Sequence, residues 1–169
     1  KQNLNLKDPS KALYPALNFN TNEFSSAITL ASLMRVKKTI KDRINFLKKI
    51  NSLLKKTKSC FIEYENFNLF SPFYISISVR SNSLKISKSN FANQLKKEGV
   101  PLLSSYGCVI SEWNWAKKYL IDNFRTNNAI NFKNSSFNLF LNENYGRKEA
   151  IFIFKKIIKI EEKYLKKNF

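Results

Sequence analysis

Apolar residues in the first third of the chain recur at the spacing of an α-helix. One stripe begins after the candidate cap residues Thr21 and Asn22, and a second begins after Asp42. Side chains three or four positions apart share one face of a helix, so each stripe predicts an amphipathic helix that packs on a core. The first stripe is Phe24, Ala27, Ile28, Ala31 and Met34; the second is Leu47, Ile50, Leu53 and Leu54.

Strand patterns follow. Cys60 to Tyr64 is short and apolar, and apolar and polar residues then alternate strictly from residue 73 to residue 80. A period of two is typical of a strand with one buried face. Leu84 to Ile86 is predicted to return as a paired strand after the turn signal Asn82-Ser83. The inward positions would be Phe73, Ile75, Ile77 and Val79.

Helix boundary signals mark the middle of the chain. Ser87 or Ser89 is predicted to cap a short helix that runs through Glu98. Gly99 is predicted to end this helix in a left-handed conformation. A strand, a hydroxyl-rich loop and a returning strand are predicted next, with the strands at residues 102–103 and 108–110.

A further helix is predicted to begin at Ser111. Trp113 and Trp115 lie two positions apart in it and would therefore face different ways. An Asn-rich stretch contains one more candidate strand, residues 137–141, and a long amphipathic helix is predicted after Gly146.

These elements predict an α+β fold. The predicted parts are an N-terminal arm (1–22), an N-terminal α/β domain (23–86), a C-terminal β-hairpin/helix domain (87–121), and an Asn-rich connector with an amphipathic helix (122–169).

Charge adds a function class to this picture. Lys and Arg number 30 against 12 Asp and Glu, a formal net charge of +18 with a pI near 10.0. Such an excess favours a polyanionic partner. Between Arg35 and Lys58 ten basic residues accompany one acid, Asp42, and most lie off the apolar stripes. The predicted RNA-binding residues are Arg35, Lys37, Lys38, Lys41, Lys48, Lys49, Lys55, Lys56, Arg80, Ser104, Ser105, Tyr106 and Lys117.

Other compositional features argue against catalysis. The chain has no His, the usual general base at neutral pH, and only 3 Gly, too few for a phosphate-cradling loop. Its 2 Cys cannot form a Cys/His zinc site without His. No apolar run is long enough for a transmembrane segment. We therefore predict a protein that is not an enzyme, with no cofactor, no metal and no small-molecule substrate.

The segment Gly99 to Lys118, GVPLLSSYGCVISEWNWAKK, resembles the C-terminal signature of the eighth small-subunit ribosomal protein family. In that signature a Gly and a short apolar strand precede a Ser-rich loop, an apolar pair and a helix. Here Tyr106 takes the place of the third loop serine, and Cys108 stands where a Gly is expected. The likeness extends over about residues 24 to 121. It implies an N-terminal two-helix/β-sheet α/β layer, with residues 23–86 as the RNA-binding domain, a smaller C-terminal β-rich domain and a helical C-terminal extension.

The resemblance implies a structural constituent of the small ribosomal subunit that binds and organises the central domain of its rRNA. It implies neighbouring ribosomal proteins as partners, contacted through residues 122–169. Lys, Asn, Phe and Ile, which have AT-rich codons, are abundant. This usage favours a divergent mitochondrial member located in the mitochondrial matrix, or otherwise another organellar or bacterial ribosome. The alternative is a basic peripheral subunit of an organellar membrane complex, because the final helix has a lysine-rich face.

Overall fold

The computed structural model of the chain describes residues 22–64, 66–69, 71–122 and 125–166. The predicted arm, residues 1–22, lies outside this range except for Asn22. Helix α1, Glu23–Leu33, starts at Asn22, whose Oδ1 accepts the Ser25 N–H at 2.8 Å. The predicted Asn22 cap is therefore confirmed. None of the residues in α1 is buried.

Helix α2, Val36–Leu54, begins earlier than predicted, because the polar turn before Asp42 is also helical. An ion pair between Lys38 and Asp42, at 2.7 Å and four positions apart, supports this first turn. One side of α2 faces the core. Its buried residues are Phe46, Leu47, Ile50, Asn51 and Leu54.

Four antiparallel strands form one sheet in the order β1-β2-β4-β3. They are β1 (Cys60–Phe61), β2 (Tyr74–Val79), β3 (Leu102–Leu103) and β4 (Ser136–Phe140). The predicted strand at 137–141 is thus confirmed, and it lies next to β2 in the centre of the sheet. Three other helices complete the described fold: α3 (Lys88–Lys97), α4 (Asn127–Ser135) and α5 (Arg147–Tyr164).

The hydrophobic core lies between one face of this sheet and helices α2, α3 and α5. Ile75 and Ile77 of β2 stand opposite Leu139 and Phe137 of β4, and all four side chains are buried. Ile157 of α5 is fully buried as well. Burying an aliphatic or aromatic side chain of this size stabilises a fold by about 1.5–3 kcal/mol, so this layer accounts for much of the stability.

The boundary signals around α3 are confirmed. Ser87 is the N-cap, and its hydroxyl accepts the Asn90 N–H at 3.3 Å. Gly99 has φ +87°, in the left-handed region. A Cβ at this position would meet only Phe152 at 3.9 Å, so backbone conformation rather than space favours glycine here.

Three predicted elements are wrong. Leu84 does not begin a strand beside β2; it forms a single bridge with Leu165 after α5. Residues 108–110 do not return as a strand. The helix predicted to begin at Ser111 does not form either, because residues 110–119 contain the short 3₁₀ turns Ile110–Glu112 and Lys117–Tyr119. The Asn-rich connector contains α4, which its weak apolar pattern did not predict.

An α+β fold is confirmed. The four-part domain division stays a prediction, although strands from residues 23–86, 87–121 and 122–169 share one sheet. No helix in the described ranges is both long enough and apolar enough to cross a membrane.

Candidate functional site

The second face of the sheet is polar and opposite to the core. Its residues alternate with the buried apolar ones, so Ser76 and Ser78 of β2 stand opposite Asn138 and Ser136 of β4. The Ser76 hydroxyl donates to Asn138 Oδ1 at 2.8 Å, and the Ser78 hydroxyl donates to Glu63 Oε1 at 2.7 Å. Hydrogen bonds of this kind satisfy polar groups that would otherwise destabilise the fold when buried.

Helix α4 covers only part of this polar face. It packs on β2 and β4, and its Phe132 carbonyl accepts the Ser136 hydroxyl at 2.7 Å. At the other end of the two strands Tyr74 pairs with Phe140, and both side chains are exposed. We call this uncovered end of the sheet, with its two aromatic rings, the open sheet face.

A loop after β3 brings a phenol and a thiol to the open sheet face. Tyr106 approaches Tyr74 with 6.3 Å between ring centroids, and the Cys108 thiol and Tyr74 phenol both interact with the Tyr106 hydroxyl. Burial first, and then these two neighbours, raise the pKa of Tyr106 to about 12. Tyr106 is therefore a neutral hydrogen-bond donor at physiological pH. Residues 104–108 are called the phenol–thiol loop below.

Next to Tyr74 lies a cavity of about 430 Å³. Aromatic rings and hydroxyls dominate its lining, and Phe132 of α4 closes one side. A site of this size with a few polar groups among apolar walls can take a small organic ligand. Its lining residues are Tyr64, Ser71, Pro72, Phe73, Tyr74, Ile75, Ser76 and Phe132. Phe73, predicted to be buried, is 69% exposed beside it, because it lies one residue before β2 begins.

Two hydrogen bonds hold the phenol–thiol loop in place. The Trp113 indole N–H donates to the Gly107 carbonyl at 2.8 Å, and the Lys88 Nζ donates to the Ser104 carbonyl at 3.0 Å. Trp113 also stacks on Trp115 with 5.4 Å between centroids. The prediction that these two indoles face different ways is wrong, because it assumed a helix that does not form.

A second concavity, an open groove of about 550 Å³, lies where α1 meets α2. Its charges are largely paired: Lys38 binds Asp42, and an Arg43 Nη donates to Glu143 Oε2 at 3.1 Å. The Arg43 side chain also donates to the Pro72 carbonyl at 3.1 Å. Arg43 therefore connects α2 to the segment after β4, and its contacts are mainly structural.

The predicted site residues fall into separate groups. The basic residues of α2 and of the turn after it are exposed, opposite the buried side of that helix. Arg80 follows the far end of β2 from Tyr74 and stacks over Phe61 at 4.3 Å. Lys117 is exposed in the second 3₁₀ turn. Only Ser104, Ser105 and Tyr106 belong to the phenol–thiol loop. As a set, the thirteen residues stay a prediction.

Sequence reasoning missed the partners of Tyr106. Tyr74 falls on the polar side of the alternating pattern, and none of Cys108, Lys88 and Phe132 was predicted to belong to a site. The burial of Lys88 cannot be read from the sequence, so no local signal identified these residues. The meeting of Tyr74 with Tyr106 depends on strand order, which residue patterns do not contain.

Solved structures share this fold. An aminotransferase from Psychrobacter cryohalolentis is 15% identical, with a TM-score of 0.69 over 88% of this chain and 40% of its own. A GDP-4-keto-6-deoxymannose-3-dehydratase, with a trapped PLP-glutamate geminal diamine, is 16% identical, with a TM-score of 0.65 over 85% of this chain and 37% of its own. The chain thus spans about two fifths of the length of either structure.

The sequence itself matches a family model over residues 3–157. The chain belongs to the DegT/DnrJ/EryC1/StrS aminotransferase family. No curated protein has a significant sequence match to it.

This membership corrects the functional predictions. The chain is not a member of the eighth small-subunit ribosomal protein family, and neither the ribosomal role nor the membrane-complex alternative holds. The predictions of rRNA and ribosomal protein partners, of no small-molecule substrate, of a mitochondrial ribosomal location and of a non-enzyme are also wrong. Net charge describes association with anions and does not identify a fold, and a short glycine–strand–serine loop occurs on unrelated folds.

Pyridoxal phosphate, present in the dehydratase structure, requires a lysine beside a ring-sized cavity and an anion cradle. Lys88 is the one buried lysine among the described residues. Burial and then the nearby Lys133 lower its pKa. However, its Nζ is bound to the Ser104 carbonyl, and it lines neither concavity described above. Ser87 already accepts a first-turn N–H of α3. The described residues do not fit this group.

Proposed function

We propose that this chain forms part of a pyridoxal-phosphate-dependent enzyme that modifies a keto sugar linked to a nucleotide. The observation that carries the proposal is the family match over residues 3–157. The dehydratase acts on such a sugar, and its structure contains PLP and glutamate. Because the described residues do not fit the cofactor, we assign them a role in binding the substrate.

The open sheet face has the chemistry that such a substrate requires. Tyr106 and Tyr74 supply phenol groups that donate to sugar hydroxyl and keto oxygens, and Ser76 and Asn138 extend this polar row. Phe132 and the other rings around the 430 Å³ cavity offer apolar surfaces for the carbon faces of a sugar. The phenol–thiol loop would orient the substrate and exclude water from it.

The positive charge also gains a role in this proposal. A nucleotide-linked sugar has anionic phosphates, and a net charge of +18 raises the local concentration of such an anion. The exposed lysines of α2, including Lys48 and Lys49, contribute to this field. Their effect would be to accelerate encounter, and it should weaken as salt screens it.

The finer architecture is also a proposal. The predicted N-terminal α/β layer, smaller β-rich domain and helical extension would act as one substrate-binding unit. This is supported by the sheet order, since β3 and β4 pair in the same sheet as β1 and β2.

Turnover by the complete enzyme that contains this chain tests the function. With pyridoxal phosphate, glutamate and a nucleotide-linked 4-keto-6-deoxy sugar, we expect an aminated or deoxygenated sugar, detected by mass spectrometry. Tyr106→Phe should raise KM about tenfold, since one hydrogen bond to substrate is lost. Tyr119→Phe, an exposed tyrosine of the neighbouring 3₁₀ turn, is the matched control and should leave KM unchanged. A complete enzyme that contains this chain and neither binds the cofactor nor converts such a sugar would contradict the proposal.

A further inference from the structure

A buried lysine lies beneath the phenol–thiol loop. Lys88 is the first residue of α3, directly after the cap Ser87, and is only 5% exposed. Lysine is rarely buried to this extent without an anionic partner. Within the described residues the one hydrogen bond of its Nζ goes to a neutral acceptor, the Ser104 carbonyl at 3.0 Å.

Three features of this position disfavour a cation. Burial removes the ammonium group from water, and the N-terminus of a helix carries partial positive charge. Lys133 of α4 adds a like charge and is itself paired with Glu112. These effects lower the pKa of Lys88, with burial the largest. A residue that served stability alone would be better replaced here by an apolar side chain of similar length.

The contact made by this ammonium group is at the start of the phenol–thiol loop. Ser104 is the first residue of the loop, and Gly107, held by the Trp113 indole, is close to its end. Tyr106 lies between these two attachment points, where it meets Tyr74. Loss of either attachment would leave Tyr106 on a segment held at one side only.

We propose that Lys88 is a positioning residue that holds the phenol–thiol loop on the sheet and so keeps Tyr106 beside Tyr74. Lys88 touches no substrate in this arrangement and acts through the Ser104 carbonyl. Its importance for substrate binding rests on the proposed function. Its effect on the order of the phenol–thiol loop is independent of the proposed function.

Amide hydrogen exchange followed by mass spectrometry tests the proposal without any substrate. Lys88→Met removes the donor and keeps the length and most of the volume of the side chain. Peptides covering residues 102–108, which join the paired strand β3 to the loop, should exchange about tenfold faster, as expected when one hydrogen bond from a charged donor is lost. Peptides from β2 should keep their wild-type rates, and Tm should stay the same or rise because a buried charge is removed.

Two further variants define the contact. Lys88→Arg keeps donors within reach of the Ser104 carbonyl and should restore the wild-type amide exchange of these peptides. Lys97→Met, an exposed lysine of the same helix, is the matched control and should exchange like the wild type. If Lys88→Met does not fold, Lys88→Leu, which also lacks a donor, replaces it, with faster exchange expected at the same peptides.

Unchanged exchange at residues 102–108 would overturn the proposal. So would faster exchange spread over the whole chain with a lower Tm, because that result indicates a general structural role. Equally faster amide exchange in Lys88→Arg and Lys88→Met would overturn the proposal too. In the turnover assay Lys88→Met should raise KM more than it lowers kcat. Absence of turnover in the wild type would instead contradict the proposed function and leave the exchange result valid.

Discussion

Replacing Glu161 should reveal how strongly α5 is fastened to the segment after α2. This carboxylate is buried, at 6% exposure, and lies near the end of α5. It accepts the Lys58 N–H at 3.0 Å, the Ser59 N–H at 2.7 Å and the Ser59 hydroxyl. Three donors from a turn about 100 positions earlier in the chain therefore converge on one acceptor.

The cost of Glu161→Ala follows from these donors. Ser59 is fully buried, so its N–H would have no acceptor and its hydroxyl would keep only Cys60 Sγ, a weak acceptor at 3.6 Å, whereas Lys58 is exposed and its N–H can bind water. The two hydrogen bonds that Ser59 donates to the carboxylate contribute about 1.5–3 kcal/mol each, because their acceptor is charged. We expect Glu161→Ala to lower the free energy of unfolding by about 3–5 kcal/mol. Glu161→Gln keeps one acceptor oxygen and should cost about 1–2 kcal/mol.

Urea unfolding at neutral pH, followed by circular dichroism, measures both values. Glu162→Ala is the control, since Glu162 is exposed and next in sequence, and it should change the free energy by less than about 0.5 kcal/mol. The alanine variant should also lose about 6–20 °C in Tm. A loss below about 1 kcal/mol, or an equal loss in the control, would refute the view that this carboxylate fastens the two segments.

Two other predictions concern single positions. Hydrogen bonds from Lys156 and Lys159 lower the pKa of Glu98 from 4.5 to about 2. A lowered pKa stabilises the fold above the unfolded value near 4.5, and this contribution disappears as the pH falls towards 2. Glu98→Gln should therefore lose less stability than the wild type between pH 6 and pH 2.5, measured as the urea midpoint; parallel losses would contradict this. Gly99→Ala should cost about 1–2 kcal/mol in urea unfolding, because φ is +87° there. A neutral effect would mean that the backbone relaxes.

Local signals predicted local structure well. Asn22, Ser87 and Gly99 mark helix ends because their side chains, or the lack of one, satisfy backbone groups within a few residues. Helix α5 and strand β4 were predicted from their apolar periods. The segment after Ser111 was mispredicted as a helix, because its spacing of Trp113 and Ala116 suits a helix as well as it suits 3₁₀ turns.

The candidate site could be predicted only in part. Tyr106 was selected for the hydroxyl-rich loop around it, but for contact with RNA. Its chemistry depends on Tyr74, which lies 32 positions earlier and meets it through the pairing of β2, β4 and β3. The function prediction was wrong because it relied on net charge and a short loop, and neither distinguishes an enzyme surface from a nucleic-acid surface.

By itself the sequence determined the helix ends at Asn22, Ser87 and Gly99, the alternating faces of β2 and β4, and the excess of positive charge, since each depends on neighbours along the chain or on composition. Tertiary structure alone decided that one face of the sheet is left partly uncovered, that two tyrosines meet on it, and that Lys88 is buried beneath the loop. Those contacts join residues far apart in sequence. They exist only because the packing of the core against α2, α3 and α5 selects one strand order and one open face.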